Sequence, residues 1–229
     1  MKARFFRLPM VLALCVSAVW VPAVAADKGI DSSLLAKANA GNAEAQYQLG
    51  NAYNYGGEVR RDYAQALIWY RKGAEQGNAD SEFELGGLYH FGHGVPPDDA
   101  QAFTWIMKAA EQGHLDAEFF ISTCYKVGWG VAPDETQSVL WLRKAAERGD
   151  TRSQLYLALA YGTGTGVGKD YSEAYFWFDV AASAETKRGR RKEDIKGRYH
   201  CAALLTSAQL SSVQGRVQKW LDDHPAESQ

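Results

Sequence analysis

Cysteine is scarce in this chain: three among 229 residues, with Cys15 in an N-terminal apolar stretch and Cys124 and Cys201 far apart. That excludes a fold stapled by a disulfide framework. In an oxidising compartment the last two could pair, but each lies among apolar helical neighbours, where a free cysteine packs as a small hydrophobe. An excess of charge is also missing. A formal net charge of −2 provides no global basic field, so nucleic acid is not the expected partner. The apolar stretch Leu8 to Val21 falls short of the roughly 20 residues that a membrane span needs. Catalytic signatures are absent too: there is no His-Glu-x-x-His, Ser-x-x-Lys or Gly-x-Ser-x-Gly, and no cysteine pair.

Two stretches resemble sites and fail on inspection. Gly162 to Asp170 reads GTGTGVGKD, but Thr163 stands where a phosphate loop needs its first glycine, and Asp170 replaces the Ser or Thr that would meet magnesium. His90 and His93 lie three apart after Glu84, without the spacing of a zinc site. No metal or cofactor is expected, and no catalytic residue is assigned.

What the chain does contain begins with an export signal. Lys2, Arg4 and Arg7 precede the apolar stretch, and Ala23-Val24-Ala25 is a small-x-small cleavage site, so residues 1–25 read as a secretory signal peptide. Leu14 occupies the place before Cys15 where a lipoprotein signal needs a small residue. The expected location is the periplasm, with secretion as the alternative.

Beyond the signal, 46% hydrophobic residues suffice for a large core, and the chain repeats itself. Gly41, Gly77, Gly113 and Gly149 are 36 residues apart. The same shift carries Tyr53 onto Tyr89, Tyr125 and Tyr161, Asp62 onto Asp98, Asp134 and Asp170, and Trp69 onto Trp105, Trp141 and Trp177. Each unit reads as two helices. In the first, Ala45, Leu49, Ala52 and Tyr53 share an apolar face, and Gly56, Gly92, Gly128 or Gly164 stops it. The second starts at the aspartate, with Gln65, Gln101, Gln137 or Glu173 three residues later expected to complete a capping box. A buried tryptophan in the second helix predicts a cost of about 3 to 5 kcal/mol for Trp141→Ala.

The expected domains are a capping helix over 26–40, repeats at 41–76, 77–112, 113–148 and 149–184, and a basic segment with C-terminal capping helices over 185–229. Thr206 should cap a final helix whose Leu210, Val213, Val217, Trp220 and Leu221 share one face.

The unit Leu-Gly-x-x-Tyr-x-x-Gly-x-Gly-Val, then Asp, Ala-x-x-Trp and Ala-Ala-x-x-Gly, is complete in repeat two, from Leu85 to Gly113. It resembles the SEL-like repeat family, the 36-residue relatives of tetratricopeptide repeats, over residues 40–182. Glu58, Ser122 and Ala158 depart from its glycines. The resemblance implies an all-α fold, a right-handed α-solenoid of helix-turn-helix repeats, acting as an adaptor or scaffold with first helices lining a concave groove. Cysteine-rich relatives are associated with β-lactam binding or hydrolysis. They carry a cysteine pair in each repeat, which this chain does not.

Four copies allow fixed columns to be set against drifting ones. Fixed columns serve packing, whereas a drifting column on one helical face can read a partner. On the first helices Gln48, Asn51, Glu84, Phe120, Tyr156 and Leu159 are the expected groove contacts, passing from polar to aromatic along the array. Phe120 and Tyr156 have a second reading, as fillers of the seams between units. Trp129 and His93 fall at the helix corners, where no fixed residue type is required, and are expected to be exposed; Trp129→Ala should cost no more than about 1 kcal/mol. Lys187, Arg188, Arg190, Arg191 and Lys192 form a basic patch, read as a solvated loop or a contact for acidic surfaces. The expected function is a monomeric exported scaffold for a protein or peptide partner. The alternatives are a cell-wall or β-lactam hydrolase and a self-associating structural protein.

Overall fold

The computed structural model describes residues 29–187 and 196–224, with side chains omitted at 184–187. The expected signal peptide, residues 1–25, therefore lies outside the described residues. Eleven helices are present and no strand among the described residues. A short α1 (Ser32–Asn39) precedes four hairpins: α2 (Ala43–Tyr55) with α3 (Tyr63–Ala74), α4 (Ala79–Phe91) with α5 (Asp99–Glu111), α6 (Leu115–Val127) with α7 (Glu135–Glu147), and α8 (Thr151–Thr163) with α9 (Tyr171–Lys187). Two further helices, α10 (Lys196–Leu204) and α11 (Ser207–Asp223), pack on α9. Each helix packs chiefly on its neighbours in sequence, which makes the array an α-solenoid.

Local chemistry explains the hairpins. The aspartates cap the second helices: Asp98 accepts from the Gln101 amide at 3.0 Å and Asp134 from the Gln137 amide at 3.0 Å. The reciprocal arm expected from Gln65, Gln101, Gln137 and Glu173 does not form. The amide it would satisfy is already used: Asp62, Asp98, Asp134 and Asp170 donate to the carbonyls of Tyr53, Tyr89, Tyr125 and Tyr161 at 2.8 to 3.0 Å. One backbone bond per repeat thus closes the hairpin and replaces half of the box. A complete capping box forms at Thr206 with Gln209. The first helices have a cap column of their own, Asn42, Asn78, His114 and Asp150, each accepting from an amide three residues on.

Successive repeats meet at the second glycine of the corner. Gly130 has φ +69°, and a Cβ there would stand 2.0 Å from the Asp99 carbonyl oxygen, on the first turn of α5. The equivalent positions Gly94 and Gly166 press on Tyr63 and Glu135 in the same way. Glu58 departs from glycine because no earlier second helix packs against that corner; the backbone of Gly29 lies there instead.

The tryptophan column is less uniform than its sequence suggests. Trp69 and Trp177 are 3% and 5% exposed, whereas Trp105 and Trp141 are half-buried. Lysine ammonium groups cover the open rings, Lys108 at 3.8 Å from Trp105 and Lys144 at 4.6 Å from Trp141. The 3 to 5 kcal/mol cost therefore belongs to the enclosed Trp177, packed on Phe176 and Trp220, rather than to Trp141.

A buried polar column had no counterpart in the sequence reading. Gln46, Glu82, Glu118 and Gln154 are all within 4% of full burial. The glutamines donate to carbonyls at the end of the preceding helix, Gln46 to Ala38 and Gln154 to Ala146, each at 3.1 Å. A carboxylate cannot donate. In repeat three the same duty falls to Lys144, which donates to the Ala110 carbonyl at 3.1 Å while standing 3.2 Å from Glu118. Arg148 meets the same carboxylate at 3.1 Å.

The ends are closed as the solenoid requires. Ala38 of α1 is 1% exposed in the first core cluster. At the other end Val213 and Val217 of α11 join Trp177 and Phe178, and Arg216 bonds Glu173 at 2.7 Å. Cys124 and Cys201 are buried and unpaired. Burial pushes the Cys124 thiol up to about 12 and raises that of Cys201, so neither is a thiolate near neutrality.

Candidate functional site

The first helices lie side by side and present one continuous face. Tyr55 of α2 donates to Glu84 of α4 at 3.1 Å, and His114, capping α6, stands 3.3 Å from Asp80 of α4. Arg152 of α8 pairs with Asp116 of α6, and the Tyr156 ring lies 5.6 Å from Phe119. Polarity divides this face along the helices rather than from one end of the array to the other. The N-terminal halves carry Glu44, Asp80 and Asp116, with Arg152 tied down by Asp116 and Asp150. The C-terminal ends carry Tyr55, Phe91 and Val127, which are 61%, 64% and 49% exposed. Repeats one and two are therefore not simply polar, contrary to the drift read from the sequence.

The six expected groove residues all fall on first helices but differ in what they can offer. Gln48 is exposed and donates to Glu44 at 2.9 Å. Asn51 is half-buried, and its oxygen accepts from Tyr70 of α3 at 2.5 Å, so it holds the hairpin together. Phe120 is also a seam residue, half-buried with ring contacts to His90 and Trp129 at 5.4 and 6.0 Å. Tyr156 and Leu159 are open, at 44% and 50% exposure.

Glu84 is half-buried among Tyr55, His114, Asp80 and Asp116. Burial raises its carboxyl above the ordinary range, with Asp80 and Asp116 adding to the rise, while the Tyr55 hydroxyl and His114 oppose it. An acid whose folded value is raised binds its proton more tightly in the folded chain. Its contribution is therefore greatest at low pH and falls as pH rises through the window between the unfolded and folded values. Carboxyl-detected NMR should place the Glu84 midpoint above an unperturbed glutamate near about 4.3, and Tyr55→Phe should move it higher still. A midpoint lowered by Tyr55→Phe would refute this account.

The corner residues are seam residues with one open side. His93 is not an exposed loop residue: it is half-buried, stacked 4.3 Å from Tyr63 of the preceding repeat. Trp129 keeps 36% of its surface in solvent and packs on His90 at 4.6 Å, with His90 held by Asp99 at 2.7 Å. Those contacts make Trp129 part of the junction between repeats two and three. In the basic patch, Arg188, Arg190, Arg191 and Lys192 lie outside the described residues, as does the side chain of Lys187.

Between α6, α7 and α8 a cavity of about 450 Å3 opens beside Tyr156 and Leu159. Its wall includes Lys126, Val139, Ala160 and Thr165, which the sequence reading did not select. Among the described residues no group of three or more His, Cys, Asp or Glu is placed to hold a metal, and no helix is long and apolar enough to cross a membrane.

Stacked helix hairpins, with an open face of varied side chains, define a helical repeat protein. The chain belongs to the Sel1 repeat family, which matches it at residues 43–78, 79–114, 115–150 and 151–185. Proteins of this family are typically scaffolds for protein–protein interaction. Among solved structures it is similar to a protective antigen of uropathogenic Escherichia coli strains displaying an SLR fold: 34% identity, TM-score 0.71, covering 82% of this chain and 40% of that one. This chain thus spans less than half the length of the antigen. A Sel1 repeat protein from Oxalobacter formigenes is 29% identical with a TM-score of 0.61, over 86% of this chain and 76% of that one. No curated protein matches the chain.

Proposed function

We propose that this protein is an exported scaffold that binds a partner polypeptide along its first-helix face. The observation that carries this reading is the row of open apolar side chains, Tyr55, Phe91, Val127, Tyr156 and Leu159, set on four consecutive repeats beside a row of acids. Large apolar side chains standing together in solvent mark a surface that another molecule covers. Export to the periplasm rests on the basic, apolar and small-residue order of residues 1–25. Function as a binding protein rather than a hydrolase follows from the family's typical role and from a sequence without a nucleophile motif.

The test is crosslinking and affinity capture of the tagged protein from the envelope of its native cell. Phe91→Ala and Tyr156→Ala change open side chains and should leave the fold intact. Each should reduce recovery of the partner at least tenfold, as expected for an aromatic anchor worth about 1.4 kcal/mol or more. A partner recovered equally by both variants would refute this face as the binding surface.

A further inference from the structure

Three junctions join the four repeats, each with a corner residue between two units. A corner residue, a second-helix residue and a first-helix residue correspond by the 36-residue shift: His93, Leu67 and Leu88 at the first junction, Trp129, Phe103 and Cys124 at the second, and Thr165, Val139 and Ala160, which line one cavity, at the third. At the first, the His93 ring stacks on Tyr63 at 4.3 Å. At the second, the Trp129 ring packs against His90 at 4.6 Å and Phe120 at 6.0 Å. At the third the protein supplies no ring. Thr165 turns its hydroxyl to Thr163 at 2.8 Å, Val139 and Ala160 are smaller than their counterparts Phe103 and Cys124, and the cavity of about 450 Å3 is what remains.

The walls that grip a ring are nevertheless in place. His90 and Phe120, which hold Trp129, correspond by the 36-residue shift to Lys126 and Tyr156, and both line the cavity. The Lys126 ammonium lies 5.4 Å from the Tyr156 ring centre. It takes part in no ion pair among the described residues, so its charge is available to the face of a second ring. The volume falls in the range of about 300 to 1,000 Å3 typical of sites that enclose a ligand group.

We propose that this cavity receives an aromatic side chain of the partner polypeptide, which completes the third junction as Trp129 completes the second. Glu135 and Lys126 both stand on the wall and offset each other's charge, so the lining favours an uncharged ring. The proposal rests on the reading of the first-helix face as the binding surface, since Tyr156 and Leu159 belong to both.

The probe is N-acetyl-tryptophanamide, titrated into the isotopically labelled protein by NMR with N-acetyl-leucinamide as control. The tryptophan compound should give saturable shifts at the Leu159 and Thr165 amides, with the leucine compound at least tenfold weaker. Thr165→Trp should abolish the shifts and raise the thermal midpoint, because the protein then carries its own ring. The backbone there suits the change: the Thr165 amide donates to Ala160 at 3.1 Å, as the Trp129 amide does to Cys124 at 3.2 Å. Val139→Phe, restoring the Phe103 type from the α7 side, should abolish binding as well and serves as the test if Thr165→Trp fails to fold. Equal response to both compounds, or tryptophan binding that survives a filled cavity, would overturn the proposal. Either result would leave partner capture through Phe91 untouched, whereas capture insensitive to both Phe91→Ala and Tyr156→Ala would sink the scaffold reading, and with it the partner as occupant, even if the ring compound binds.

Discussion

Replacing both Lys144 and Arg148 with alanine is expected to destabilise the protein by about 3 to 5 kcal/mol, the cost of leaving a buried charge without its partners. Glu118 has no exposed surface, and these two cations are its only charged contacts among the described residues. Either single variant should cost much less, because the remaining cation still meets the carboxylate. The two should cost similar amounts, since each cation also donates to a backbone carbonyl, Lys144 to Ala110 at 3.1 Å and Arg148 to Gly113 at 2.5 Å. Adding Glu118→Gln to the double variant should recover part of the loss by removing the uncompensated charge. Chemical denaturation of the four proteins measures this directly. A double variant no weaker than the sum of two small single effects, or one unaffected by Glu118→Gln, would show that water reaches the carboxylate.

Gly130→Ala is expected to cost about 3 kcal/mol or more, although it adds a single methyl group. A positive φ alone disfavours alanine by about 1 to 2 kcal/mol. Here the new Cβ would also stand 2.0 Å from the Asp99 carbonyl and 2.9 Å from the Phe103 side chain, so α5 must move away from the corner. Gly149→Ala is the control: its φ is +92°, yet nothing lies within 4 Å of the added atom. It should lose only the conformational share. Because stability in a linear array is set by unit and interface together, Gly130→Ala should also broaden the unfolding transition, with repeats one and two separating from three and four. Equal effects of the two substitutions would refute close packing at that junction.

The helices and corners were legible from the sequence because they depend on residues within one 36-residue unit, seen four times. Gly128, Asp134 and Trp141 each announce a local event, so their spacing carries the hairpin. The rest depends on residues that meet across helices, within a unit or between neighbouring units. The Gln137 arm of the capping box fails to form because the Asp134 amide is occupied by Tyr125, nine residues back. Glu118 reads as a solvated helix charge until Lys144 and Arg148, a whole helix away, are placed on it. Likewise Val139, Ala160 and Thr165 are unremarkable singly, and only their convergence leaves a space. At the candidate site, Tyr156 and Leu159 were legible as drifting positions, but Asn51 and Phe120 drift as well and serve the seams.

The buried polar column also bears on how such a chain can change in descent. Gln46 is bonded by Gln76, Glu82 by Gln112 and Glu118 by Arg148, so each acceptor is matched inside its own unit. Duplicating or deleting a whole unit carries both halves of the match together. A crossover in mid-unit would instead join, for example, the front of repeat one to the back of repeat three, setting Arg148 against the neutral Gln46. Exchange between repeats one and two would keep a glutamine donor on either acceptor, so it is repeat three, with its carboxylate and Arg148, whose match is preserved only when the whole hairpin is gained or lost.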